Sequence, residues 1–165
     1  QLKIIITFYF LGNTFPCHKF ILSRRSPYFK AMYEFDPQKK NAKMEDFNIK
    51  VYKTVLTFLY QNRVESTEID CQLLQAANFF LVPELFKICS QYLEENLNTR
   101  NVIEIMTATH EINGSKNECK SLHDACTKFI KNHCGKLSKP QNWNEVVSNC
   151  SQLKALSKAL FEDKK

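Results

Sequence analysis

A chain of 165 residues that is 44% apolar and 12% aromatic carries enough hydrophobic material for one domain, or a domain with a helical annex, and this argues against a disordered segment. Thirteen phenylalanines against three glycines disfavour a sandwich of many short strands and point to a helix-rich fold. The net charge of +6 suits an acidic partner but falls below the density of a dedicated nucleic-acid binder.

Residues 1–11, QLKIIITFYFL, are too short to span a bilayer and lack the basic start and small-residue cleavage site of a secretory signal. The β-branched and aromatic run KIIITFYF instead predicts an opening strand buried on both faces. The absence of an initiator methionine reads as an excised fragment. Gly12-Asn13 is a turn signal, and TFPC predicts a returning strand that closes a hairpin. From about His18 the pattern becomes helical, and it stops at Ser26-Pro27, where Pro27 opens a second helix, YFKAMYE. FDPQKKNAK is polar and reads as an exposed loop, with MEDF as a short strand or connector.

Beyond that point helices dominate. Val51, Val55, Phe58 and Leu59 recur at helical spacing. Asp70 is placed to cap a helix whose face is Leu73, Leu74, Ala77 and Phe80. Pro83 opens the next, with Leu85, Ile88, Cys89 and Tyr92 expected inward. Asn98 and Thr99 are cap candidates for a helix carrying Val102, Ile103 and Met106, which Gly114 breaks. CKSLHDACTKFIKNH follows and is expected to end in a left-handed cap at Gly135. Further turns are expected around Trp143, Val146 and Val147, and then along Leu153, Leu156 and Leu160. An α+β domain over residues 1–97 is expected to hand over to a helical extension over 98–165.

Candidate chemistry is sparse. The chain has no G-x-S-x-G, Walker A or H-E-x-x-H motif, and its four histidines (His18, His110, His123 and His133) lack an evident acid and nucleophile beside them, so no enzyme is expected. Seven cysteines, at 17, 71, 89, 119, 126, 134 and 150, are odd in number and contain no C-x-x-C, which argues against a disulfide framework and for a reducing compartment. Cys119, His123 and Cys126 have spacings that zinc can use. However, Cys119, Leu122, Cys126, Phe129, Ile130 and His133 share a helical face, as in a buried helix that uses cysteine as a small hydrophobe, so no metal or cofactor is expected. Arg24-Arg25, Lys39-Lys40 with Lys43, and the terminal lysines are short and dispersed, and read as solvated charge. The helix–proline–helix junction accounts for Ser26-Pro27 without phosphorylation.

FPCHKFILSRRSPYFKAMYE, residues 15–34, strongly resembles the core signature of BTB/POZ domains: His18-Lys19, Leu22, Arg25-Ser26-Pro27, Phe29 and Met32-Tyr33-Glu34. VYKTVLTFLY and LLQAANFFLVPELFKIC continue the likeness, which covers residues 4 to about 97. NLNTRNVIEIMTATHEI, HDACTKFIKNH and NWNEVV resemble the helices that follow the BTB of speckle-type POZ proteins, without the MATH domain those proteins carry. The resemblance implies an α+β BTB/POZ fold with a helical, cullin-gripping extension. It also implies a nuclear or cytoplasmic, non-enzymatic adaptor that homodimerises, docks a cullin of the cullin-three class, and takes its substrate through a module outside this chain, with no nucleic acid or membrane partner.

By position in that family, Met32, Tyr33, Phe35 and Asp36, with Leu81 and Val82, would face the cullin, and Ile5, His18 and Arg25 would lie at the dimer interface. Phe35-Asp36-Pro37-Gln38 supplies the hydrophobic anchor of the family's hydrophobic-x-Glu triplet without its glutamate. Ile5 stands where the family's dimer pocket has an aspartate beside the junction arginine, and NGSKN is inserted between extension helices. The rival reading is a BTB used only for self-association or corepressor recruitment.

Overall fold

The computed structural model describes residues 5–10, 13–113 and 119–133. Gly12, the NGSKN insertion, Gly135, and the turns expected around Trp143 and along Leu153 to Leu160 lie outside the described residues. The chain divides into two compact units, Gln1–Cys89 and Ser90–Lys165.

The first unit opens with β1 (Ile5–Phe10) and β2 (Asn13–His18), paired antiparallel with Ile6 opposite Cys17 and Phe8 opposite Phe15. A third strand, β3 (Asn41–Lys43), runs parallel to β1 on its other side, giving the order β2-β1-β3. The expectation that β1 is buried on both faces is corrected: Ile6 and Phe8 are buried, but Ile5 and Tyr9 are 49% and 43% exposed. Only one face of the strand is covered, so its side chains alternate despite the continuous apolar run. β3 also corrects the loop expected over 35–43. Asn41 and Lys43 are polar and exposed, and only Ala42 is buried, so the free edge of β1 supplies what propensity does not. Met44 to Phe47 then serve as the connector.

The hydrogen bonds also explain Pro16. The Thr7 amide donates to Lys40 O at 2.8 Å and Met44 donates to Tyr9 O at 3.1 Å, so Thr7 and Tyr9 direct their backbone toward β3. Pro16, opposite Thr7, therefore directs its missing N–H outward, where it blunts the exposed edge of β2.

Helices α1 (Lys19–Arg25) and α2 (Pro27–Phe35) meet at Ser26, whose amide donates to Leu22 O and closes the first helix. Ser26 Oγ accepts from the Phe29 amide and so begins the second helix, with Pro27 in the position where a missing N–H costs nothing. Asn48 caps α3 (Ile49–Gln61), which ends at Asn62 in the left-handed conformation. A 3-10 turn at Ser66–Glu68 leads to α4 (Cys71–Phe79), capped by Asp70 Oδ1 on the Leu73 amide at 2.8 Å. Every residue expected inward on α3 and α4 is buried.

Phe29 and Phe80 stack at 5.4 Å in the core, with Phe8 5.5 Å from Phe29 and Tyr52 5.8 Å from Phe80. Such pairs add roughly 0.5–1.5 kcal/mol each beyond their buried area. In α5 (Pro83–Glu95) the buried residues are Leu85, Phe86, Cys89 and Leu93, whereas Ile88 is exposed and Tyr92 half-buried. Leu85 and Cys89 are inward as expected, and the face leans toward Phe86 and Leu93 instead of Ile88 and Tyr92.

In the second unit Asn98 Oδ1 accepts from the amides of Arg100 and Asn101 and turns the chain into α6 (Val102–Asn113). Helix α7 (Lys120–His133) buries Leu122, Cys126 and Ile130, with Cys119 just ahead of it. His123 is buried as well, its Nδ1 3.0 Å from Thr109 Oγ1 of α6, while Phe129 and His133 are half-buried and stack on each other. Among the described residues no three potential ligands gather as a metal site, and no helix is long and apolar enough to cross a membrane.

Candidate functional site

Helix α2 positions the first candidate surface. Its inward face is set by Phe29 and Tyr33, and its last residue, Phe35, lies 95% exposed. Large apolar side chains are tolerated at surfaces, but one with almost no cover gains nothing from the fold that carries it. Met32 and Asp36 are half-buried beside it, and the Asp36 amide donates to Met32 O at 3.2 Å to close the helix. Tyr33 is corrected from contact residue to core: it faces inward, and its hydroxyl is buried without a hydrogen-bond partner. Burial raises the Tyr33 phenol well above its ordinary range, and nearby Cys17 and Tyr60 push it the same way.

The turn after α4 positions the second. The Val82 amide donates to Ala77 O at 2.8 Å and the Leu81 amide to Asn78 O at 3.0 Å, the paired bonds of a Schellman helix ending. That ending needs a left-handed residue, and Leu81 occupies it with φ 52. Leu81 is consequently turned out and 45% exposed. Val82 is corrected from contact residue to core, because the residue after the left-handed position folds back onto the helix and Val82 is buried.

The candidate dimer residues gather around the end of α3. Ile5 and His18 are direct partners across the hairpin. His18 donates its amide to Tyr60 Oη at 2.8 Å, and its Nδ1 lies 3.0 Å from the same oxygen. Arg25, which the family pairs with an aspartate, instead donates to Asn62 Oδ1 at 2.5 Å and lies over the Phe58 ring at 5.9 Å.

Sequence reasoning missed Tyr60, Asn62 and Lys19. Asn62 had a local signal, since asparagine favours the left-handed position that ends a helix. Lys19 stands in the family signature, but nothing local marks its burial, with Nζ 2.9 Å from Pro37 O and 5.2 Å from the Tyr33 ring centre.

The thiols here are unsuited to nucleophilic work. Burial pushes Cys17 up to about 11, against a smaller lowering by its hydrogen bond to Tyr60, and it pushes Cys89 and Cys126 up to about 12. The five described cysteines are all buried and form no disulfide. The first unit offers exposed apolar side chains, Phe35 and Leu81, on two well-defined helix endings.

Comparison with known proteins agrees with that architecture. The BTB/POZ domain model matches residues 5–97. Kelch-like protein 40 of Xenopus laevis is 35% identical over 98 residues, which are 57% of this chain and 16% of that protein. TD and POZ domain-containing protein 2 of Mus musculus is 26% identical over 144 residues, 84% of this chain and 38% of that protein. The chain thus spans only a small part of the length of the curated relatives it matches. The solved BTB domain of zebrafish PATZ1 superposes with a TM-score of 0.51 at 25% identity, covering 55% of this chain and 75% of that one. Kelch-like and TD-and-POZ proteins stand side by side among these relatives, so the likeness holds for the family as a whole and does not single out its speckle-type branch. Sheet order, Ser26 junction and family match converge: this chain belongs to the BTB/POZ domain family of protein-interaction modules.

Proposed function

We propose that this BTB/POZ chain is a non-enzymatic adaptor that docks the N-terminal domain of a cullin of the cullin-three class, homodimerises, and brings a substrate held by a module outside residues 1–165 to the ubiquitin ligase. The adaptor does no chemistry. It raises the effective concentration of substrate near the catalytic arm. The observation that carries the reading is Phe35, 95% exposed at the end of α2, at the family's position for a cullin anchor. An aromatic residue presented on a rigid helix end suits an interface hot spot, which needs a pocket on the partner and a polar rim around it. Asp36, the half-buried Met32 and the exposed Leu81 are the further contacts. The five described cysteines, buried and without a disulfide, fit the reducing interior of the nucleus or cytoplasm.

The test is titration of the chain with a cullin-three N-terminal fragment by calorimetry and size exclusion. The expected result is a complex of one cullin fragment per chain, which Phe35→Ala weakens by about 2 kcal/mol, roughly thirtyfold. Absence of binding at tens of micromolar would leave the self-association reading, which Ile5 and Tyr9 on the open sheet face favour. Light scattering across concentrations tests that reading, and a strict monomer defeats it.

A further inference from the structure

We infer that Lys19 is the positioning residue of the Phe35 docking surface: its ammonium fastens the turn after α2 so that Phe35 is held ready for a partner. The inference rests on the adaptor reading and names a residue that this reading does not require.

Lys19 is 8% exposed, and a charged lysine is almost never buried so far without strong compensation. It takes part in neither of the two ion pairs, Lys30–Glu34 and Lys43–Glu45, found among the described residues. Its cation is held by the Pro37 carbonyl at 2.9 Å and by the face of Tyr33, whose ring centre is 5.2 Å away. A methionine would fill similar space without the desolvation cost, so packing alone does not account for a lysine here.

What the ammonium grips is informative. Pro37 lies inside the turn closed by the Lys39 amide on Asp36 O at 3.1 Å. That turn begins at the bond from Asp36 to Met32 O and runs into the sheet through Thr7 and Lys40. The first residue of α1 thus ties down the segment that starts one residue past Phe35. A side chain with almost no packing of its own takes its direction from its backbone. If that backbone is loose, it must be ordered during binding, and affinity falls accordingly.

The test uses the full chain with Lys19→Met, which keeps the stem and removes the donor, and Lys19→Arg, which keeps a cation and a donor. Amide exchange at Lys39 is read by NMR alongside affinity for the cullin-three N-terminal fragment. For Lys19→Met the expected result is exchange at Lys39 about tenfold faster and affinity lower by about three- to tenfold, with little further loss when Phe35→Ala is added. Lys19→Arg is expected to stay near wild type in both readings, and it carries the test if the methionine variant does not fold: an affinity loss in Lys19→Arg with Lys39 exchange unchanged overturns the inference. Unchanged affinity in Lys19→Met, or unchanged exchange at Lys39, overturns it as well. Failure of the wild-type chain itself to bind removes the adaptor reading and the docking role together. Exchange at Lys39 then decides separately whether Lys19 fastens the turn.

Discussion

Ser26 Oγ donates a hydrogen bond to the carbonyl of Phe80, 54 residues away, at 2.6 Å while accepting one from the Phe29 amide at 3.2 Å. One buried hydroxyl therefore caps α2 and ties the α1–α2 junction to the end of α4, next to Leu81. Ser26→Ala strands the Phe80 carbonyl and the Phe29 amide together. The expected loss is about 2–4 kcal/mol, a cap plus an unsatisfied buried carbonyl, and urea unfolding measures it. Because the hydroxyl is buried and used twice, a kinase acting on the folded chain should leave Ser26 unmodified, which mass spectrometry can check.

Tyr33 shows the opposite situation. Its hydroxyl is buried with no partner, while its ring receives the Lys19 ammonium and lies 6.5 Å from Phe29. Tyr33→Phe keeps the ring and removes the stranded group. Thermal unfolding should show no loss, or a gain of up to about 1 kcal/mol. A loss larger than that would mean that the hydroxyl makes a bond to internal water.

These two residues mark the limit of what the sequence makes legible. Ser26-Pro27 announces a helix junction, because proline at a first helical position and serine before it are local signals. That the same serine reaches Phe80 is a tertiary fact with no trace in the spacing. Periodicity locates α3, α4 and α6, whose apolar faces repeat cleanly, but in α5 it finds Leu85 and Cys89 and takes Ile88 in place of Phe86 because the two are equally apolar. Asn41 to Lys43 read as loop because nothing in a lone alanine between two polar residues reveals a waiting strand edge. The burial of Lys19 has no local signal because lysine seldom lies buried, and only the fold shows the carbonyl that receives it. For the candidate site, family likeness names Phe35 and Leu81, and both are exposed. The inward faces of α2 and of the α4–α5 turn bury Tyr33 and Val82.

Leu81 holds the left-handed position of the Schellman ending with φ 52, where a side chain costs about 1–2 kcal/mol. Glycine removes that strain but adds about 0.5–1 kcal/mol of unfolded-chain entropy. Leu81→Gly should therefore leave stability unchanged or raise it by up to about 1 kcal/mol, since the side chain is half exposed and little burial is lost. Under the adaptor reading the same change weakens cullin binding, because an exposed anchor is gone. A stabler protein that binds less tightly would show that Leu81 is kept for its surface and not for the fold. A clear fall in the urea midpoint would instead show that its packing outweighs the strain.

The buried thiols predict an alkaline limit. Unfolding returns Cys17, Cys89 and Cys126 to the ordinary value of 9.0, whereas in the folded chain burial holds Cys17 at about 11 and the other two at about 12. Asp70 beside Cys89, and Glu94 and Cys119 near Cys126, push the same way as burial. Below pH 9 both states are protonated at these thiols and stability is independent of them. Above it the unfolded chain ionises first, so stability falls as pH rises toward 11–12. The loss per thiol is on the order of 1–2 kcal/mol by about pH 10.5. Urea midpoints should be level from pH 7 to 9 and then drop, and the drop should be shallower in Cys89→Ala after correction for its lower starting stability. Raised phenols at Tyr28, Tyr52 and Tyr60 act in the same direction from about pH 10 upward. A midpoint that stays level to pH 11 would contradict the burial of these thiols.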